Sequence, residues 1–312
     1  MSRRRRFRGR SVSGIVVVDK PIGASSNEVL QQVKRLYGAA KAGHTGSLDP
    51  LATGVLPVCL GEATKLSQYL LDSDKSYRTT AKLGIQTNTG DAEGEVVSER
   101  PVAVTESDLE PVLAKFRGPI EQVPSMFSAI KHNGKPLYQY AREGIEIERK
   151  SRKVNIYRLT LLEFRGDEMV LEVDCSKGTY IRSLVEDIGE MLGCGAHVAE
   201  LRRLKAGPYE EVQSHTIESL EDVREGGGHA ALDNLLLEQD SAVSHWPAVM
   251  LGESSSFYLM QGQPVQVSRA PTSGFVRIYR QVEGAPNIFL GIGEIQDDGL
   301  VAPRRLVANR DN

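Results

Sequence analysis

Hydrophobic positions along the chain fall into helical stripes and short apolar runs. The clearest stripe is Ile181, Leu184, Val185, Ile188, Met191 and Leu192, with Ser183, Glu186, Asp187 and Glu190 opposite, and it predicts a helix over residues 179–192. A second stripe, Val29, Leu30, Val33, Leu36 and Tyr37, predicts a helix capped by Ser25, Ser26 or Asn27 and stopped by Gly38. Residues 14–18 read as a short buried strand and 54–60 as a second strand, with a helix over 62–71 after it. A strand at 76–85 leads through Thr87-Asn88-Thr89-Gly90-Asp91 to a return strand at 94–98. A helix at 107–116 capped by Ser107, an extended stretch at 122–131 and a short helix at 136–143 follow. Residues 153–163 and 168–175 form a predicted hairpin turned by Arg165-Gly166-Asp167. The acidic segment 216–240, broken by Gly226-Gly227-Gly228, reads as helical cover. Beyond His245-Trp246-Pro247, short strands between Gly and Pro predict a small β-rich domain. Hairpins outnumber regular βαβ units, so the expected class is α+β with a mixed, mainly antiparallel sheet.

Composition narrows the classes without deciding among them. A chain of 312 residues, 40% hydrophobic and 25% charged, has ample length for a sizeable core. No apolar run has the length of a membrane span and no signal peptide is evident, so a cytoplasmic protein with no membrane partner is expected. Cys59, Cys175 and Cys194 stand far apart, which indicates neither disulfides nor zinc. The net charge is −3, but Arg3, Arg4, Arg5, Arg6, Arg8 and Arg10 crowd into the first ten residues; subtracting their +6 leaves −9 for the rest. Residues 1–10 are therefore expected to be a disordered basic arm able to lie on phosphates, or one that only aids solubility.

The stretch from Gly43 to Pro57 carries the chemistry. Glycines at 43, 46 and 54 permit positive φ or close approach, and Pro50 pushes Asp49 towards an extended backbone. Leu48, Leu51, Val55 and Leu56 surround Asp49 with apolar side chains, and His44 precedes it by five positions. A carboxylate set in an apolar wall is costly unless it is paired. It points to a nucleophile or a general base, against the alternative of a turn acid that caps a backbone N–H.

The segment GHTGSLDPLATGVLPVCLGEATKL, residues 43–66, resembles the catalytic motif of bacterial tRNA pseudouridine synthases that modify the T-loop uridine at position 55, the TruB type. Gly14-Ile15-Val16-Val17-Val18-Asp19-Lys20-Pro21 resembles the opening strand of that family, and Gly178-Thr179-Tyr180-Ile181-Arg182 its later motif. The resemblance covers nearly all of the chain after residue 10. It implies a catalytic domain over 11–245 with a central RNA-binding cleft, followed by a PUA-type RNA-binding domain over 246–312. By the same resemblance Asp49 is the nucleophile, Tyr77 the ring that stacks on an extruded base, and Tyr180 a pocket wall. His44 holds the extruded conformation, Leu201 closes the pocket, and Arg182 pairs with Asp49. The implied partner is the T-arm of tRNA, with no cofactor and a monomeric enzyme. Independently, Arg182 stands in the first turn of its helix, where the dipole disfavours a cation, so a compensating partner is expected. Lys20, Lys65, Arg202, Arg203 and the run Arg149-Lys150-Ser151-Arg152-Lys153 are candidate phosphate contacts.

Isomerising uridine breaks the bond from C1′ to N1, rotates the uracil and joins C1′ to C5. Such chemistry asks for a carboxylate and a sealed pocket, and the chain has no phosphate-binding loop, no HExxH and no complete dinucleotide fingerprint. Three rivals remain. A hydrolase built on His44, Ser47 and Asp49 would draw its triad from six consecutive positions, whereas triads join distant segments. An aspartyl phosphotransferase wants a second acid where Leu51 stands. A non-catalytic RNA-binding protein leaves the stiffened carboxylate without a role.

Overall fold

The computed structural model describes residues 9–308, so most of the expected basic arm lies outside the described residues. In chain order the strands are β1 (Gly14–Lys20), β2 (Ala42–His44), β3 (Thr53–Leu60), β4 (Lys75–Leu83), β5 (Ile85–Thr87), β6 (Val96–Glu99) and β7 (Gly118–Gln122). They continue with β8 (Lys131–His132), β9 (Lys135–Pro136), β10 (Arg152–Phe164), β11 (Glu168–Cys175), β12 (Ala196–Ala206) and β13 (Tyr209–Glu210). The last four are β14 (Ala248–Leu251), β15 (Gly274–Arg280), β16 (Ile288–Ile295) and β17 (Val301–Leu306). The helices are α1 (Ser26–Leu36), α2 (Ser67–Leu71), α3 (Glu106–Leu113), α4 (Leu137–Arg142), α5 (Ile181–Met191), α6 (Ile217–Asp233) and α7 (Glu253–Met260).

A nine-stranded sheet runs β1-β3-β12-β4-β11-β10-β7, with β2 attached to β3 and β13 to β12. Every pair in it is antiparallel except β3 with β12. The mixed, mainly antiparallel α+β class is thus observed. The parallel pair is joined by the rest of the sheet rather than by one crossover helix. It brings Thr53 and Gly54 beside Arg202 and Arg203, about 150 positions apart in sequence. Helices α3 and α5 cover one part of the sheet over a core that includes Leu109, Leu113, Leu184, Val185 and Ile188. Helices α1 and α6 cover another over Val29, Val33, Tyr37, Leu220 and Leu232. A separate four-stranded sheet, β14-β15-β16-β17, closes over its own core with α7.

Several local expectations shift. The single helix over 62–71 is a 3-10 turn, Gly61–Leu66, followed by the short α2. Thr105, not Ser107, caps α3: the Asp108 carboxylate takes both the Thr105 N–H and its hydroxyl, which closes a capping box two residues earlier. On α5, Met191 is 47% exposed although it belongs to the apolar stripe, while Ser183 is buried and donates to the Val123 carbonyl. The largest omission is β12. Its sequence, AHVAELRRLKA, carries Glu200, Arg202, Arg203 and Lys205, and nothing in that pattern shows that Arg203 faces inward.

Candidate active site in the central cleft

The loop between β2 and β3 is clamped from below. Buried Ser26, a candidate cap in the sequence, instead accepts the Leu48 N–H at 2.7 Å and donates to the Leu48 carbonyl at 3.0 Å. Ser25 takes the capping role on α1, with Glu28 closing the box. The Pro50 carbonyl accepts the Gly23 N–H at 2.8 Å and Lys20 Nζ at 3.2 Å. With Leu48 and Ala52 sunk into the core beside Leu51, Tyr77 and Leu201, Asp49 is held between two anchored neighbours. Of the apolar wall expected around this carboxylate, Leu48 and Leu51 are in place, whereas Val55 and Leu56 turn into the two other cores of the sheet.

Asp49 is 42% exposed, since one side opens on the cleft, and its Oδ2 lies 3.1 Å from Arg182 Nε. Burial on the remaining sides pushes its carboxyl above the ordinary aspartate range; Arg182 and Lys20 draw it back down and Asp91 pushes it up. Arg182 itself is buried. Its guanidinium also donates to the Thr89 and Phe127 carbonyls, both at 2.8 Å, and reaches Asp91 Oδ2 at 3.5 Å. Those acceptors offset the unfavourable helix dipole at this position and make the side chain a hub for three segments. Asp91 is 4% exposed, with its Oδ1 held by the Thr89 hydroxyl at 2.6 Å and the Glu93 N–H at 3.1 Å. Sequence reasoning treated this residue as part of a turn. The density of turn formers from Thr87 to Asp91 was the only signal that the loop is built around an acid.

Tyr77, on β4, packs against the same core, and burial raises its phenol above the usual value. Tyr180 caps α5 from outside the helix, and its backbone N–H and carbonyl pair with the buried Gln122 side chain at 3.1 and 3.2 Å. Its phenol is likewise raised by burial, with Ser128 pulling it down. Both rings are close enough to Asp49 for its charge to register among the influences on them. Leu201 contributes to the apolar wall and is 9% exposed. His44, on β2, has a buried Nδ1 without a partner, and burial together with Arg203 lowers its pKa. Asp49, Tyr77, Tyr180, Arg182 and Leu201 therefore lie together, and His44 is linked to them through Arg203.

Four of the expected phosphate contacts are already engaged within the protein. Lys20 has no exposed surface, and its Nζ is spent on the Pro21, Ala24 and Pro50 carbonyls at 2.8, 2.6 and 3.2 Å. It is a staple under the Asp49 loop and not a substrate contact; burial lowers its pKa to about 8, against Asp49, which raises it. Arg203 is equally buried. Lys65 faces Glu62 and the Leu306 carbonyl, which ties the 3-10 turn to the last strand. Arg202 is half-exposed but paired with Asp19 and Glu211.

Comparison with known proteins places this geometry. The family model for the TruB family pseudouridylate synthase N-terminal domain matches residues 34–181. A model of the tRNA pseudouridylate synthase B C-terminal domain matches residues 182–244, and one for the C-terminal part of pseudouridine synthase II TruB matches 247–307. The first boundary falls at the start of α5 and does not divide the structure, because β12 beyond it pairs with β3 and β4. The chain is 58% identical to the tRNA pseudouridine synthase B of Aeromonas salmonicida, over 100% of this chain and 98% of that protein. It is also 58% identical to that of Pseudomonas fluorescens, over 96% of each. Among solved structures, an H/ACA RNP bound to a substrate RNA containing 2′-deoxyuridine is similar at 26% identity and a TM-score of 0.72, covering 96% of this chain and 86% of that one. The Asp49–Arg182 pair stands in the midst of the matched segments, and the chain belongs to the TruB family of pseudouridylate synthases.

Proposed function

We propose that this tRNA pseudouridine synthase acts on the T-loop uridine at position 55, flips it out of the tRNA and isomerises it with Asp49 as nucleophile. The observation that carries the reading is the carboxylate of Asp49, open to the cleft on one side and held by buried Arg182 on the other. A base inside folded tRNA reaches such a carboxylate only after it is extruded, and an extruded base needs a ring to replace its lost stacking. Tyr77 supplies that ring, Tyr180 and Leu201 wall the pocket, and His44 holds the extruded nucleotide as a neutral imidazole. Asp49 attacks either C1′ or the uracil ring. In both courses the C1′–N1 bond breaks, the uracil turns inside a pocket closed to water, C1′ joins C5, the bond to Asp49 is released, and N1 takes up a proton as C5 loses one. Arg182 keeps the attacking carboxylate ionised where burial opposes its charge.

The C-terminal unit, residues 246–312, serves as a PUA-like docking domain for the rest of the tRNA, in line with the RNA-bound assembly to which the fold is similar. The protein works as a cytoplasmic monomer and uses no cofactor. Among the described residues no helix is long and apolar enough to cross a membrane.

Release of tritium from C5-labelled uridine in a tRNA transcript tests the central assignment, because the isomerisation leaves mass unchanged. Asp49→Asn is expected to abolish release while tRNA affinity changes by less than about tenfold, since the carboxylate is a nucleophile rather than a phosphate contact. Substantial release by Asp49→Asn would refute it.

A further inference from the structure

Arg203 heads the fully buried side chains by size, at 1% exposure, and no carboxylate among the described residues pairs with it. A buried guanidinium ordinarily faces an acid, as Arg182 does, because an uncompensated charge inside a protein is costly. Arg203 spends its donors on neutral acceptors instead. Its Nε donates to the Val55 carbonyl at 2.7 Å and NH2 to the Gly46 carbonyl at 3.3 Å. Gly46 and Val55 lie on either side of Asp49, so one side chain bridges both ends of the loop that presents the carboxylate. Tyr77 is the direct antiparallel partner of Arg203 between β4 and β12, and the guanidinium is among the groups that lower its phenol's pKa. The main chain repeats the attachment: Arg203 pairs in parallel with Gly54, where an added Cβ would lie 2.2 Å from the Arg203 carbonyl oxygen.

We propose that Arg203 is a positioning residue of the reaction, fixing the Tyr77 ring and both ends of the Asp49 loop in one frame. The inference rests on the roles given above to Asp49 and Tyr77. Only a planar fork with several donors in fixed directions reaches three elements at once; a lysine ammonium at this place has the charge without the geometry. That need accounts for keeping an unpaired cation in the core. It also explains why the side chain makes no contact with solvent, and hence none with RNA.

Single-turnover tritium release from a T-arm hairpin, hairpin Kd and thermal melting of the full chain decide the matter together. Arg203→Lys is expected to melt cooperatively and to bind the hairpin within about threefold of wild type. Its single-turnover rate should fall about tenfold or more, the scale expected when reacting groups drift by a fraction of an ångström. Tyr77→Phe, which removes the hydroxyl whose pKa Arg203 lowers, should be milder. The double variant should be no more than about twofold slower than Arg203→Lys, since the two changes fall on one interacting pair. A wild-type single-turnover rate in Arg203→Lys would overturn the proposal. So would a rate loss matched entirely by a weaker Kd, or losses that multiply in full in the double variant. If Arg203→Lys does not melt cooperatively, Arg203→Gln, which retains an N–H donor, is held to the same three criteria. Tritium release by Asp49→Asn would undo the underlying site assignment, and that result does not involve Arg203.

Discussion

Asp49 carries its charge against the cost of burial, so its titration should be visible in the rate. Burial raises its carboxyl above the ordinary range, and Arg182 opposes the rise. The nucleophile must be ionised, so the rate is lost as pH falls through this raised value. The acid limb of single-turnover release should therefore lie above that of a solvated aspartate, and Arg182→Ala, lacking the group that lowers it, should move the limb higher still. An acid limb that stays in place in Arg182→Ala would show that the pair does not tune the nucleophile. Lys20 gives a test of a different kind. Its Nζ satisfies three backbone carbonyls that are otherwise without this donor. Bonds to charged groups are worth about 1.5–3 kcal/mol each, so Lys20→Met should cost about 3 kcal/mol or more in denaturant unfolding. It should leave the salt dependence of tRNA binding unchanged, whereas a phosphate contact would flatten that dependence. Lys20 was misjudged from sequence because a lysine beside a motif looks like any other lysine; only the fold shows that it has no exposed surface. Asp49 and Arg182 were legible for the opposite reason. Each broke a local rule, one as an acid in an apolar wall and the other as a cation at a helix N-terminus.

At the scale of elements, the pattern that failed is as informative as the patterns that held. The stripes of α1 and α5 and the hairpin of β10 and β11 were readable because each buries one face and exposes the other. Strand β12 pairs with β4 on one side and β3 on the other, and it buries Arg203 where a strand in that position would normally show an apolar residue. A charged, inward-facing position erases the signal on which sequence reading depends. The glycine opposite was a better clue. Gly54 has a φ of +97°, and a Cβ there would collide with the β12 backbone. Gly54→Ala should therefore destabilise by about 3 kcal/mol or more, well beyond the usual cost of a surface change, because neither the φ nor the contact with Arg203 is relieved by moving a flexible side chain. Urea unfolding measures it. A stability within about 0.5 kcal/mol of wild type would mean that β3 and β12 can separate locally at little cost.

The whole molecule joins two sheets through a mixed apolar and polar seam, which bears on how the two ends of the chain should act in binding. Trp246 stacks on Phe275 with ring centroids 4.9 Å apart, and Tyr69 meets Trp246 edge-on at 5.0 Å. Ile292 of β16 belongs to the core beneath β1 and β3. Lys65 and Glu62 hold the Leu306 carbonyl and the Ala308 N–H. Removing residues 248–312 strips the cover from this seam, so the remainder should melt at lower temperature. The groups around Asp49, Arg203 included, all precede residue 204, however, and reaction on an isolated T-arm hairpin should persist while affinity for full tRNA falls. The N-terminal arm calls for a different measurement. Of its six arginines, Arg10 is already engaged, pairing with Asp233 and donating to the Tyr37 carbonyl at 3.1 Å. That leaves Arg3, Arg4, Arg5, Arg6 and Arg8, outside the described residues, as potential phosphate contacts. Each contact made to duplex RNA or DNA phosphates steepens the fall of log affinity with log salt by about 0.9 or less. Deleting residues 1–8 should accordingly flatten the slope by up to about 4.5, mostly through weaker binding at low salt, without changing which uridine is modified. Arg10→Ala in the full chain should leave the slope alone and lower stability slightly, since a half-exposed ion pair is worth about 0–1 kcal/mol. A slope unchanged by the deletion would assign the five arginines to solubility; a slope reduced by Arg10→Ala would mean that its pair with Asp233 opens when tRNA binds.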